Sequence, residues 1–521
     1  MNKNLITVIV LVAAAFVAIY LGLIAASGDF VTISAWGGVV LFLLYLLKGQ
    51  NHSIEIYLFL IWGGISFYWG FSVLSLHIVA ALFTMHIASS ALFRRHPLRP
   101  SGLLRDSGQG LVTVIGGLFL IYGVIHLLFL RASPQIIGEF SMKNSAKSYF
   151  LAFAPILILL AVLGTNIRFK VGDKWVTKFF YWLFFAILIN GGYLAYLYYS
   201  GFSSRDASFG DDEISRIYIP LINAAPHHFA FRQLGPIAVL FSAAFLTEKS
   251  WIRSQSFYMK SILVMCLLGG LAGTVGSGGR GGLILCFLFI LFVTVYRKSV
   301  ILMFLGGTAV LLMIVLANTF SGFINDKAPT FIARPLQYVM WDRGDSMVTI
   351  ESSDNQRTAL FKAALEEWQS DPRIFTIGRG VYPHRYGFDE LRPSLGEERA
   401  FVEVNLRAGT CHALLPSCLV QYGILGTLIY MTLLLVILKF SWDIYKKSKM
   451  RGYSSATQTA AFCVFIFYLV KLPLEIFAGG WLDLFFVTML ILLRTRSAEE
   501  EEAYEASLAE DPPLQVTGSA G

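Results

Sequence analysis

Charged residues are scarce in this chain: only 14% of its 521 residues are Asp, Glu, Lys or Arg, against about 25% in soluble domains. That scarcity excludes an ordinary soluble globular protein. With 56% hydrophobic residues and a mean hydropathy of +0.64, the composition is that of a polytopic membrane protein. Cysteine is sparse as well, at five residues. No CxxC pair or metal-ligand spacing occurs among Cys266, Cys286, Cys411, Cys418 and Cys463, so neither a disulfide framework nor a cysteine metal site is expected. Internal repeats are missing too, which argues against a secondary transporter built from two related halves.

What is present is a series of long apolar runs. A helix crosses about 30 Å of hydrocarbon with roughly 20 residues. Runs of suitable length lie near 5–26, 31–47, 54–71, 73–93, 109–130, 147–164, 176–199, 232–247, 259–276, 281–297, 300–317, 413–439, 457–473 and 478–494. The expected fold is all-α, a polytopic membrane protein of about 14 transmembrane helices with one large, partly helical periplasmic loop. Its expected divisions are helices 1–11 over 1–317, a cap loop over 318–412, helices 12–14 over 413–494, and a disordered acidic cytoplasmic tail over 495–521. The first run lacks a small-residue cleavage site and reads as a retained helix rather than a secretory signal.

Lysine and arginine favour short cytoplasmic loops, and here they recur after every second span. Arg94, Arg95, Arg99 and Arg105 follow the fourth run, and Arg168, Lys170, Lys174 and Lys178 the sixth. The pattern repeats with Lys249, Arg253 and Lys260, with Arg297 and Lys298, with Lys446, Lys447, Lys449 and Arg451, and finally with Arg494 and Arg496. Both termini are therefore expected in the cytoplasm. The net charge of +8 expresses this topology and points to membrane lipids, with no nucleic-acid partner.

Three polar features then share the outer face: segment 200–231, the turn GTVGSGGRGGLIL (Gly273 to Leu285) and the loop 318–412. Arg280 stands among six glycines in that turn, and a cation at a membrane boundary marks a functional candidate. The alternative is an arginine that snorkels to headgroups while glycines let helices pack closely. The large loop holds nine arginines, two lysines and thirteen acids. Most of those arginines fit solvated ion pairs, but a guanidinium can also grip phosphate oxygens in pairs. DNQRTALFKAALEEWQSDP (Asp354 to Pro372) predicts an amphipathic helix, with Arg357 in its first turn, where a cation opposes the helix dipole. IGRG, with Gly378 and Gly380, predicts a tight turn. Asp211, Asp212 and Glu213 read as a solvated acidic face, and no metal ligand set is expected.

Four stretches together resemble the O-antigen ligase and O-antigen polymerase superfamily, GT-C type membrane glycosyltransferases that use polyprenyl-diphosphate glycans. SGGRGG (Ser277 to Gly282) is similar to the family's Ser-Arg-Gly turn. RTALFKAALEEWQSDPRIFTIGRG (Arg357 to Gly380) resembles its arginine, helix, tryptophan and Gly-x-Gly block. CHALLPSCLVQYGILGTLIYM (Cys411 to Met431) resembles its loop-ending histidine and following helix, and PHHFAFRQLG (Pro226 to Gly235) the polar start of a preceding helix. Two positions depart from the pattern: Ala413 stands where the family has asparagine and Gln421 where it has glutamate. The resemblance covers about residues 226–440.

The resemblance implies a periplasmic active site in the bacterial inner membrane, without cofactor or metal. Arg280 and Arg357 would stabilise negative charge developing on the departing diphosphate, and His412 would accept a proton from, or orient, the attacking sugar hydroxyl. Arg232, His227, His228, Gly378 and Gly380 are the expected substrate-binding residues. The implied partners are an undecaprenyl-diphosphate-linked glycan donor, a lipid-linked glycan or lipid A-core acceptor, and a chain-length regulator. Polymerase is the preferred reading, O-antigen ligase the alternative, and a lipid-linked glycan flippase the alternative from another class.

Overall fold

The structure is a computed structural model describing residues 65–68, 72–74, 102–130, 134–137, 140–143, 146–164, 174–199, 224–226, 231–276, 280–326, 336–337, 340–341, 347–381, 397–408, 411, 413–478 and 484–510. The expected spans 5–26 and 31–47 lie outside these residues.

Helix dominates what is described. A short α1 (Gly102–Asp106) leads into α2 (Gln109–Leu130), α3 (Ala146–Gly164) and α4 (Trp175–Tyr199). Then come α5 (Phe231–Thr247), α6 (Lys249–Arg253), α7 (Phe257–Gly276), α8 (Arg280–Arg297), α9 (Val300–Thr319) and α10 (Ser321–Asp326). Three helices follow in the large loop: α11 (Met347–Gln369), α12 (Pro372–Ile377) and α13 (Glu397–Ala408). The chain closes with α14 (Leu414–Met450), α15 (Ser455–Ala478) and α16 (Leu484–Glu510). Among the described residues, five helices are long and apolar enough to cross a membrane: Gln109–Leu130, Trp175–Tyr193, Phe257–Gly276, Leu414–Met450 and Ser455–Leu474. Shorter apolar helices are Gln233–Thr247 and Gly281–Arg297. The chain is thus a helical protein with membrane-spanning character.

Among the described residues, five short strands accompany the helices. β1 (Ile65–Tyr68) pairs antiparallel with both β2 (Ser72–Leu74) and β5 (Ala224–Pro226). β3 (Pro134–Ile137) and β4 (Phe140–Lys143) form a separate hairpin. β1 and β2 fall inside the expected spans 54–71 and 73–93. Their aromatic and β-branched residues, ISFY and SVL, suit a pleated backbone as well as an apolar helix.

Sequence-close approach at glycine sets the packing of the central helices. A Cβ at Gly235 on α5 would stand 2.6 Å from the carbonyl oxygen of Gly270 on α7 and collide with the Thr274 hydroxyl. Only hydrogen fits between these two backbones. A continuous core of buried aromatics joins α2, α3 and α14: Phe119 lies 4.9 Å from Phe153 and 4.9 Å from Tyr430, ring centre to ring centre. α15 packs against α14, α8, α5 and α16, so it lies between these groups.

At one end of the bundle the last helix does something composition hid. The tail expected to be disordered from 495 continues as helix through Glu510. Glu500 accepts hydrogen bonds from the Ser454 amide (3.1 Å), the Thr457 hydroxyl (2.8 Å) and Arg496 (2.9 Å). Glu501 accepts from the Gly102 amide at 3.1 Å and from the Tyr453 hydroxyl. An acidic run expected to be disordered is therefore tied to the α14–α15 turn and to the start of α1. At the opposite end the loop helices α11, α12 and α13 sit on α14.

Candidate functional site

The best-defined polar structure at the loop end is built where α14 breaks. Gly423 holds φ 63° and ψ −173° inside α14, a conformation open essentially to glycine. The break frees carbonyl groups that a continuous helix would satisfy internally. The Gly378–Gly380 turn takes them up: the Arg379 amide donates to the Val420 carbonyl at 2.9 Å, and the Gly380 amide to the Gln421 carbonyl at 3.1 Å. Gly378, at φ 78°, and Gly423 face each other so closely that a Cβ on Gly378 would stand 2.5 Å from the Gly423 nitrogen. The tight turn expected at IGRG is present, and both glycines are required by contact as well as by φ.

Local sequence explains how the turn is presented. Asp371 caps α12, accepting from the Arg373 amide at 2.6 Å, and Pro372 occupies the first turn, where its missing amide costs nothing. Trp368 stacks on Phe375 at 4.7 Å and donates its indole N–H to the Phe375 carbonyl at 3.1 Å. Arg379, only 4% exposed, then ties three elements together. Its guanidinium bridges to Glu367 on α11 at 2.9 Å and donates to the Leu406 carbonyl on α13 at 2.6 Å. Through these two terminal nitrogens the buried guanidinium holds α11 and α13 to the turn that docks on α14.

Three residues of the bundle complete the seat, and nothing in the sequence reading singled them out. The Tyr122 hydroxyl contacts the Tyr422 carbonyl at 2.5 Å and the Ile377 carbonyl at 3.1 Å. His126 sets one ring nitrogen, Nε2, 2.6 Å from the Ile377 carbonyl and the other, Nδ1, 2.7 Å from the Tyr149 hydroxyl. Since a carbonyl only accepts, Nε2 carries the proton and Nδ1 accepts from Tyr149. A lone histidine in an apolar run carries no spacing that betrays such a partner. Gln421 is 2% exposed, and its side-chain oxygen accepts no hydrogen bond among the described residues.

The expected site residues distribute as follows. Gly378 and Gly380 form the seat at the helix break. Arg357 is exposed and lies in the third turn of α11, because that helix begins at Met347 and not near Asp354; the expected conflict with the helix dipole does not arise there. Arg280 is the first residue of α8 and Arg232 the second of α5, with their side chains outside the described residues. His412, His227 and His228 lie outside the described residues. Cys411, next to His412, is buried, and burial pushes its thiol pKa up, which makes it a packing residue rather than a nucleophile. Among the described residues no group of three His, Cys, Asp or Glu is arranged to hold a metal.

The fold and this seat define a helical protein, with helices long and apolar enough to span a membrane, whose loop helices are anchored on a broken helix. No protein-family model matches the chain, and no curated protein is significantly similar to it.

Proposed function

We propose that the chain is a membrane glycosyltransferase of the O-antigen ligase and polymerase type. It transfers a glycan from undecaprenyl diphosphate to a growing lipid-linked polysaccharide on the periplasmic face of the bacterial inner membrane, within a bundle of about fourteen spans. The observation that carries this reading is that two of the four sequence blocks that suggested it meet directly, while a third packs on the helix that leads to the fourth. The Gly-Arg-Gly turn of the loop docks on the helix that follows His412. Gly235, closing the PHHFAFRQLG block, packs on Gly270 and Thr274 of the helix that leads to the SGGRGG turn. α15 touches helices of both pairs. Segments up to about 200 residues apart in sequence are thus drawn into two neighbouring assemblies.

In this reading Arg280 and Arg357 stabilise the diphosphate leaving group, whose charge grows as the glycosidic bond breaks. His412 takes the proton of the acceptor hydroxyl or orients it, and Arg232, His227 and His228 line the donor path. Gly378 and Gly380 serve by seating the loop. The test is transfer by the purified full chain supplied with a defined lipid-linked repeat and, separately, with lipid A-core. A ladder of lengthened lipid-linked products is expected. Single repeats joined only to core would make the enzyme a ligase, and movement of intact donor across a vesicle membrane without transfer would make it a flippase.

A further inference from the structure

Arginines drawn in from the surface are matched to acids here, with one exception. Among the described residues, Arg297 pairs with Glu248 at 2.6 Å, Arg379 with Glu367 at 2.9 Å and Arg496 with Glu500 at 2.9 Å. Arg494, on α16, is only 8% exposed, yet it has no carboxylate partner among the described residues. Its one hydrogen bond runs from Nη1 to the Val162 carbonyl on α3. A cation withdrawn into a helical bundle without an acid is costly and marks a candidate site.

Local contacts fix what the guanidinium has left to give. Val162 and Leu163 belong to the last turn of α3, whose carbonyls lack partners within the helix. Gln109, at the start of α2, donates to the Leu163 carbonyl, and Arg494 serves Val162 beside it. A cation is favoured at such a helix end, but this contact uses one of five guanidinium N–H donors. The Nε–Nη2 edge makes no hydrogen bond. The Nε of Arg297 is enclosed, whereas that of Arg494 is not, so this edge opens to the surface of the bundle. Further along α16, Glu500 reaches the Ser454 amide in the turn between the candidate spans α14 and α15. Six residues separate Glu500 from Arg494, about 9 Å along the helix, which sets Arg494 just on the membrane side of that turn. Lysine and arginine gather at this end, the one expected in the cytoplasm, and Lys174 is exposed there ahead of α4.

We infer that the open edge of Arg494 binds the phosphate of an anionic phospholipid in the leaflet at that end, in a site formed by α16 with the adjoining ends of α2 and α3. The site lies at the end of the bundle opposite the loop seat and does not depend on the transferase reading. A guanidinium edge grips two phosphate oxygens with parallel hydrogen bonds, and basic clefts between spans on the cytoplasmic side hold anionic headgroups. The nearest acids in the sequence do not compete for it: Glu499 and Glu500 are taken by Arg496, and Glu501 by the Gly102 amide and the Tyr453 hydroxyl. An anionic lipid is favoured over a zwitterionic one, whose own amine offsets the phosphate charge.

The experiment uses the purified full chain in detergent, with dioleoyl phosphatidylglycerol as the probe, dioleoyl phosphatidylcholine as the zwitterionic control, and retained lipid counted by native mass spectrometry. Wild type is expected to prefer phosphatidylglycerol. Arg494→Gln should cut that preference about tenfold, the loss expected for one charged hydrogen-bonded contact. Arg105→Gln, which removes an exposed cation at the same end, should leave it within about threefold. If Arg494→Gln does not accumulate in the membrane, Arg494→Lys carries the measurement. Its preference should still fall, because one ammonium cannot serve the Val162 carbonyl and also offer a fork. An arginine that only caps α3 would leave the lipid preference unchanged in these variants, and that result would overturn the inference. So would a wild type without preference, or equal weakening in Arg105→Gln, the mark of diffuse attraction. Displacement of the lipid by excess inorganic phosphate would make the ligand a free anion and overturn it as well.

Discussion

Replacing Gly423 by alanine should undock the loop domain. Its backbone conformation costs any other residue about 1–3 kcal/mol in strain alone. A Cβ at Gly423 would also stand 2.5 Å from the Gly378 nitrogen, a clash with backbone that no side-chain rotation relieves. The loop must lift, and lifting it breaks the Arg379–Val420 and Gly380–Gln421 hydrogen bonds, each worth about 0.5–1.5 kcal/mol net. The sum centres near 4 kcal/mol, or roughly a thousandfold rise in the open population. Trypsin reads this directly, because Arg379 is only 4% exposed and must open to be cut; where opening and closing are fast, cleavage follows the open population. Gly452→Ala is the control. It also sits at positive φ, 68°, but nothing lies within 4 Å of an added Cβ, so it should suffer strain without undocking. Cleavage at Arg379 no faster in Gly423→Ala than in Gly452→Ala would refute the reasoning.

Three further outcomes follow from the same contacts. His126→Ala leaves the Ile377 carbonyl and the Tyr149 hydroxyl without their ring partner; at about 1–3 kcal/mol for buried groups left unmade, tryptic cleavage at Arg379 should rise by one to two orders of magnitude, roughly, by the same conversion. Arg379→Lys keeps the charge but cannot span Glu367 and the Leu406 carbonyl with one planar fork, so α13 should exchange amide hydrogens faster while α14 does not. Glu500→Ala removes the acceptor for Ser454, Thr457 and Arg496; it should lower the unfolding midpoint of the purified protein, with faster hydrogen exchange across residues 451–457.

Much of the helical frame was legible because apolar runs bounded by charge leave little freedom. The run read at 109–130 matches Gln109–Leu130, that at 281–297 matches Arg280–Arg297, and that at 300–317 begins, as α9 does, at Val300. Composition alone could not find the break at Gly423, since it lies inside one long helical run and the turn that meets it lies about 45 residues earlier in IGRG. His126 was hidden for the same reason: it lies in an apolar run, and its partners are the Ile377 carbonyl of the distant loop and Tyr149 of a neighbouring helix. The acidic tail misled in the opposite direction. Its composition suits disorder, but Glu500 and Glu501 find amide and hydroxyl donors on segments remote in sequence. Within the candidate site, the glycines were readable as turn residues, whereas their docking surface was not.

Release of undecaprenyl diphosphate from a lipid-linked glycan, measured with the purified full chain and with Arg280→Ala and His412→Ala at equal membrane levels, tests the proposed chemistry most directly. One diphosphate lipid released for each glycan joined, and loss of release in both variants, is the predicted result. Release that continues undiminished in Arg280→Ala, or none from the wild type, would contradict it.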